Sequence, residues 1–335
     1  MISPDTVNGV LLPALLALAV VLPVAWLRVR GGKSASSGTS AAPDVATVAG
    51  RCDAILSLGL SVALGASVLL AYALLNPQSG APEGLGAKLG WWVSLKWLPV
   101  PPERAQHWLP IIALMGLVVG VIGALWNPSE RVRWTLRTLA LLAALTGVYV
   151  GSGLSRGVSV PTFGQAAEAL ALLAGGMIAW AAMASVTQRR AGAAPVVIVW
   201  GLVASAALMM VLSRNLFQGH LAGALAAGLG AAVVASVVRP RMVFGGVALA
   251  VPVLFVTSLV YFANRYGEGV PWFVALLLLG GAVTMALAEP VVNRFLGPGF
   301  KGSVALVIAS AIGPIAGMAI MGIRYAQSAG GSGGY

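Results

Sequence analysis

A chain of 335 residues with 59 % hydrophobic and 9 % charged residues and a mean hydropathy of +0.93 is too apolar for a soluble domain, in which roughly 25 % of residues are charged. Apolar runs of about 20 residues recur along it and the short alternating strands of an outer-membrane barrel are missing, so the composition predicts an all-α, polytopic transmembrane helix bundle. The net charge of +11 is spread over short loops rather than gathered in one patch, which argues against nucleic-acid binding and suits a chain oriented in a bilayer by its loop cations.

The first expected span is 8–27. No basic residue precedes it, and Arg28 and Arg30 follow it. A cleavable signal peptide has the opposite flanks, so a retained helix with its N-terminus outside is expected. Residues 31–50, GGKSASSGTSAAPDVATVAG, lack large apolar anchors and predict a flexible cytoplasmic linker. Cys52 is the only cysteine and offers no intrachain disulfide. After a second span at 54–75, residues 76–108 carry Trp91, Trp92, Trp97 and Trp108 beside Lys88 and Lys96. Indole and ammonium both favour the headgroup layer, so this stretch reads as an outer interfacial loop, and its length also suits a binding lid.

The third span, 109–126, places Gly116, Gly120 and Ala124 four apart, a spacing that lets helix backbones approach where lipid supplies no hydrophobic drive between helices. The fourth is 135–153. GLSRG at 153–157 matches the G-x-S-x-G nucleophile spacing, but with 43 glycines such a match arises readily by chance, and the required strand-to-helix context is missing. Ahead of the fifth span, 165–186, Thr162 and Gln165 have capping-box spacing. Glu168, one turn inside, can face the positive end of the helix dipole. An acid that stabilises the helix start is the plainer reading of Glu168, and a cavity-facing group the sharper one.

Spans six and seven, 195–213 and 217–238, are separated by the polar knot SRNLFQGH. As one helix they would run roughly 66 Å at 1.5 Å per residue, about twice a bilayer's hydrocarbon core, so the chain turns at the knot. Two readings stand. In the first, Arg214 snorkels to headgroups while Asn215 and Gln218 satisfy the freed backbone groups of a hairpin. In the second, Arg214, Asn215, Gln218 and His220 form an outward-facing solute site, where a polar or anionic solute meets the free N–H groups at the start of span seven. That span carries Gly219, Gly223 and Ala227 on one ridge and Ala222, Ala226 and Gly230 on another, which predicts that it is the most buried helix.

Spans eight to ten are 243–263, 270–288 and 303–323. Glu289 precedes Pro290 at the end of the ninth and lies near Arg294 in sequence, pointing to a local ion pair. Gly313 and Gly317 supply a further packing pair in the tenth, and 326–335 reads as a flexible tail. Ten spans put both termini on one side. The loops after odd-numbered spans hold Arg28, Arg30, Lys33, Arg51, Arg131, Arg133, Arg137, Arg189, Arg190, Arg239, Arg241, Arg294 and Lys301, thirteen of the 20 Lys and Arg. By the positive-inside rule these loops face the cytoplasm, and both termini lie on the non-cytoplasmic side.

None of the nine acids falls mid-span, where coupled transport or intramembrane catalysis usually places one. His107, His220 and Cys52 show no metal-ligand spacing, and no Walker loop or dinucleotide fingerprint sits in its required context. Neither a metal nor a cofactor is expected.

Two stretches, PPERAQHWLPIIALMGLVVGVIGALW at 101–126 and GHLAGALAAGLGAAVVASVVRP at 219–240, resemble segments of uncharacterised bacterial multi-pass inner-membrane proteins. The resemblance covers about a third of the chain, rests on small and apolar residues, and implies a bacterial cytoplasmic membrane without implying an activity. Ten helices in this length also resemble drug/metabolite-type carriers, which normally keep both termini in the cytoplasm, whereas the loop cations here place them outside.

Two functional classes follow. One is a permease-like protein that handles a small neutral or anionic solute or a lipid. The other is a non-catalytic scaffold or subunit of a larger membrane complex, with a membrane protein partner or a second copy of this chain beside it in the lipid bilayer. An enzyme ranks below both, because no paired acid and base stands out.

Overall fold

The structure is a computed structural model that describes residues 45–75, 104–126, 128–151, 161–190, 192–238, 248–266, 269–297 and 299–330, with isolated positions elsewhere and side chains of the first helix from Ser57 onward. The expected span 8–27 lies outside the described residues except for Leu15, Ala17 and Ala19, which are helical. Residues 31–44, the side chain of Cys52, most of 76–103, Ser155, Arg239, Arg241 and 331–335 also lie outside them.

The described chain is all-α. In order come α1 (Val45–Leu75), α2 (Trp108–Trp126, after a 3-10 turn at Ala105–His107), α3 (Glu130–Gly151), α4 (Phe163–Arg189), α5 (Ala193–Leu212), α6 (Leu216–Val238), α7 (Ala250–Tyr266), α8 (Trp272–Leu296) and α9 (Phe300–Gly330). Eight of these are long and apolar enough to cross a membrane, and the chain is an integral multi-pass membrane protein. The shortest, α7, has 17 residues and runs roughly 26 Å.

Local chemistry sets several of the boundaries. The Thr162 side chain accepts from the Gln165 backbone N–H, and the Gln165 side chain accepts from the Thr162 N–H, so the capping box expected from the sequence opens α4. Several boundaries differ from expectation. Helix α7 starts at Ala250, well after the expected 243, and α3 at Glu130, ahead of the expected 135. Helix α1 starts at Val45, six residues inside the expected linker, directly after Pro43 and Asp44, residue types that favour a helix start. Helix α8 continues through Pro290 to Leu296. A proline removes only one backbone bond, and Glu289 beside it is anchored to α4. Helix α9 reaches Gly330, well into the expected tail.

The centre of the bundle is α7, not the small-residue helix α6. Helix α7 packs against α1, α2, α3, α4, α5, α6 and α8, and every residue from Ala250 to Ala263 is buried. In α6, by contrast, Gly223, Ala227 and Gly230 remain partly exposed. Small residues let a helix approach closely on one or two faces, whereas enclosure needs neighbours on all of them.

Glycines set the closest approaches. A Cβ on Gly116 would stand 2.9 Å from Val251 Cα, one on Gly219 2.9 Å from Val211 Cγ2, and one on Gly317 2.5 Å from Met209 Cε. At Gly313 it would meet the Leu277 carbonyl, and at Gly281 the Ser310 carbonyl. Gly120 is buried in α2.

The cations separate to opposite ends of the bundle. Contacts of Tyr266 with Tyr149, Arg324 with Gly269 and Arg214 with Tyr325 mark one end, which holds Arg214, Arg265 and Arg324. Contacts of Arg137 with Trp180 and Arg189 with Glu289 mark the other, where Arg131, Arg133, Arg190, Arg294 and Lys301 gather. This second end is called the basic end below.

Candidate functional site

The polar knot folds as a helix stop. Asn215 N–H donates to the Met210 carbonyl (2.8 Å) and Arg214 N–H to the Val211 carbonyl (3.0 Å). These are the two bonds of a Schellman motif, with Ser213 as C-cap and Arg214 in the left-handed position at φ 58°. The Asn215 amide donates to the Ser213 carbonyl and hydroxyl oxygens at 3.1 and 3.0 Å. The Ser213 hydroxyl donates to the Met210 carbonyl. Arg214 is exposed, its guanidinium 5.9 Å from the Tyr325 ring centre on α9. Gln218 is buried and His220 half-buried on the first turns of α6. The hydrogen bonds of Ser213 and Asn215 are thus spent on turning the chain.

Glu289 makes a tertiary ion pair instead of the local one expected with Arg294. Its carboxylate accepts from Arg189 Nη1 at 3.2 Å and lies 3.6 Å from Arg190 Nε. The Glu289 and Arg190 side chains are 3 % and 7 % exposed, against 65 % for Arg189, so the inner pair sits in a low-dielectric seat between α4 and α8. Arg190 Nη2 also donates to Asn293 Oδ1. The sequence signal for this clamp is the RR at 189–190 ending one helix at the same end as the EP at 289–290, but their pairing depends on α4 and α8 running side by side.

Helices α3, α4 and α7 pack mutually, and polar groups occur along their shared seam from end to end. Away from the basic end, the Tyr266 hydroxyl donates to the Val148 and Tyr149 carbonyls at 3.0 and 3.1 Å, and the Arg265 guanidinium lies 5.0 Å from the Tyr149 ring centre. Buried Tyr261 is within electrostatic reach of Tyr149, Glu168 and Arg265. One turn further in, Thr257 sits against the notch left by Gly176, where a Cβ would be 3.0 Å from its hydroxyl oxygen. Thr257, Tyr261 and Arg265 follow at spacing four on one face of α7.

The hydroxyls of Thr257 and Ser258 are fully buried and have no hydrogen-bond partner. Elsewhere in the bundle, buried Ser61, Ser67, Ser213, Ser236 and Ser310 each donate to a carbonyl of the preceding turn. An unsatisfied buried hydroxyl costs about 1–3 kcal/mol. Two on successive residues of the central helix therefore work against stability, as do Trp108 Nε1, Trp180 Nε1, Arg190 Nε and Arg190 Nη1, which are also buried without a hydrogen-bond partner.

At the basic end the seam closes on Arg137. Its side chain is buried, with the guanidinium 4.7 Å from the Trp134 ring centre and 5.2 Å from that of Trp180. It lines a cavity of about 20 Å³ together with Arg133, Pro128, Trp180, Gly123 and Gly246, space for about one water. Sequence alone groups Arg137 with the loop cations, although it falls inside the expected span 135–153. A cation at that depth is the signal that marks the site.

Among the described residues, no group of three or more His, Cys, Asp or Glu comes together to hold a metal. No protein-family model, curated protein or solved structure matches the chain.

Proposed function

We propose that the chain is a permease-like membrane protein that passes a small polar or anionic solute along the α3–α4–α7 seam. The observation that supports this most is the pair of partnerless buried hydroxyls, Thr257 and Ser258, midway along the central helix. A core whose only task is to hold shape gains by replacing them with Val and Ala. A path that takes up polar solute or water for part of its cycle has a use for both, because the passing molecule completes their hydrogen bonds.

Arg137 at one end and the Tyr149, Glu168, Tyr261 and Arg265 group at the other supply polar entrances, and no acid is placed for proton coupling at mid-depth. By the positive-inside rule the basic end faces the cytoplasm. On this reading all ten expected spans cross the membrane, both termini are outside, and the bilayer is a bacterial cytoplasmic membrane. The knot at Arg214, Asn215, Gln218 and His220 is then an outer turn that orients α5 against α6, and the entrance lies at the outer end of the seam.

The test is osmotic swelling of proteoliposomes in potassium phosphate, potassium acetate and glycerol, with valinomycin present to balance charge. Swelling in at least one of these above protein-free liposomes, and reduced in the Thr257→Val/Ser258→Ala variant, is the expected result. Rates equal to those of protein-free liposomes in all three would contradict it and favour the scaffold class.

A further inference from the structure

We propose that the cavity beneath Arg137 is a binding site for a phosphate oxyanion at the basic end of the bundle. The proposal stands independently of transport, because it concerns equilibrium binding.

Three features carry it. First, Arg137 is more than nine-tenths buried as a residue, lines the cavity and makes no hydrogen bond to another described residue. Arginine always carries its charge, and a buried cation is costly unless something pairs with it. The two indoles provide cation–π contact, which holds the plane of the guanidinium without satisfying its N–H donors. Second, the acid on the same helix, Glu130, is exposed, accepts from Trp134 Nε1 at 3.2 Å and is within electrostatic reach of Arg137 without hydrogen-bonding to it. The carboxylate of Glu289 is held by Arg189 and Arg190. Third, Arg133 and Arg137 line one opening whose described lining residues include no carboxylate. Arg133, tethered through Nε to the Pro128 carbonyl at 2.8 Å, lines the same cavity. A Cβ on Gly246 would stand 3.7 Å from Arg137 Nη2 and 3.5 Å from Gln188 Nε2, so the missing side chain at 246 leaves room beside Arg137 and one further donor, Gln188.

The cavity's size selects the ligand's shape. With about 20 Å³ it takes one oxygen atom, not a whole solute, so the anion presents a single oxygen to Arg137 while its remainder sits at the mouth. A tetrahedral phosphate does this, and forked guanidinium donors match it. The same chemistry is offered by inorganic phosphate and by the phosphodiester of an anionic lipid headgroup. A ring of basic residues beside Trp134 and exposed Trp126 suits either source.

The test uses the full-length protein, delipidated in a neutral detergent. Inorganic phosphate is titrated while thermal unfolding is followed, and in parallel native mass spectrometry is run after exchange into phosphatidylglycerol or phosphatidylcholine. A phosphate-dependent rise in Tm identifies a free-phosphate site. Retention of phosphatidylglycerol but not phosphatidylcholine, without response to phosphate, identifies a headgroup site. In either case Arg137→Gln should weaken binding at least tenfold, the loss of about one charge-assisted hydrogen bond. Gly246→Ala, which adds one methyl beside Nη2 at ordinary contact distance, should weaken it while leaving the ligand-free Tm unchanged, so the result does not depend on Arg137→Gln folding normally. Wild-type protein that responds to neither phosphate nor phosphatidylglycerol, or a Gly246→Ala variant that binds as the wild type does, would overturn the proposal. Because no flux is measured, failure here leaves the permease reading intact, and failure of the swelling assay leaves this site intact.

Discussion

The carboxylate of Glu289 on α8 lies between two consecutive arginines of α4, accepting from exposed Arg189 at 3.2 Å and standing 3.6 Å from buried Arg190. Removing one partner of a buried pair leaves an uncompensated charge and costs about 3–5 kcal/mol, while an exposed partner contributes under about 1 kcal/mol. Glu289→Ala should therefore sharply lower the unfolding midpoint in detergent, and Arg189→Ala should leave it nearly unchanged. Equal effects would show that burial does not govern the clamp.

Arg214 occupies the left-handed position of the Schellman stop at φ 58°. A side chain with a Cβ costs about 1–2 kcal/mol there, and glycine does not. Arg214→Gly is expected to be neutral or slightly stabilising in thermal unfolding despite the lost contact with Tyr325. Arg214→Val, β-branched in that conformation, is expected to destabilise. If Arg214→Gly instead lowers stability as Arg214→Val does, the residue's charge matters more than its backbone.

The turn, the capping box at Thr162–Gln165 and most helix limits were legible in the sequence, because caps, glycines and hydrophobic runs act over a few residues. The candidate site was less so. Glu289 names its partners only once α4 and α8 lie side by side. Arg137 resembles its loop neighbours Arg131 and Arg133 until the direction of its helix face is known. Thr257 and Ser258 look like any polar pair in an apolar run, since what distinguishes them is the hydrogen bonds they do not make. Helix α6, rich in glycine and alanine, suggested the centre, yet the number of covered faces decides burial, and that is a property of the assembled bundle.

Small-residue packing between α8 and α9 gives a paired prediction. At Gly313 a Cβ would press on the Leu277 carbonyl, a backbone atom that cannot swing aside, whereas at Gly280 it meets nothing within 4 Å. Gly313→Ala should cost about 1–3 kcal/mol through overpacking. Gly280→Ala should be neutral or gain up to about 1 kcal/mol by restricting the unfolded helix. The pair is read out as thermal midpoints in the same detergent, and a harmless Gly313→Ala would show that α8 and α9 are not in close contact there.

Replacing the two partnerless hydroxyls should raise stability. Thr257→Val and Ser258→Ala remove buried donors that have no acceptor, worth about 1 kcal/mol each, at little change in volume. Thermal unfolding of the double variant should shift upward. A downward shift would mean that the hydroxyls make stabilising bonds in the native membrane protein.

The most direct test of the seam as a path is whether water reaches Thr257. In a Cys52→Ala background, Thr257→Cys is treated in intact proteoliposomes with a membrane-impermeant methanethiosulfonate reagent. Ser67→Cys, equally buried but in α1 against Gly228, serves as the control. The permease account predicts modification of Thr257→Cys at a rate well above that of Ser67→Cys, because the seam opens to water during its cycle. Equal, negligible modification at both positions would mean that the centre of the bundle stays dry, and would contradict it.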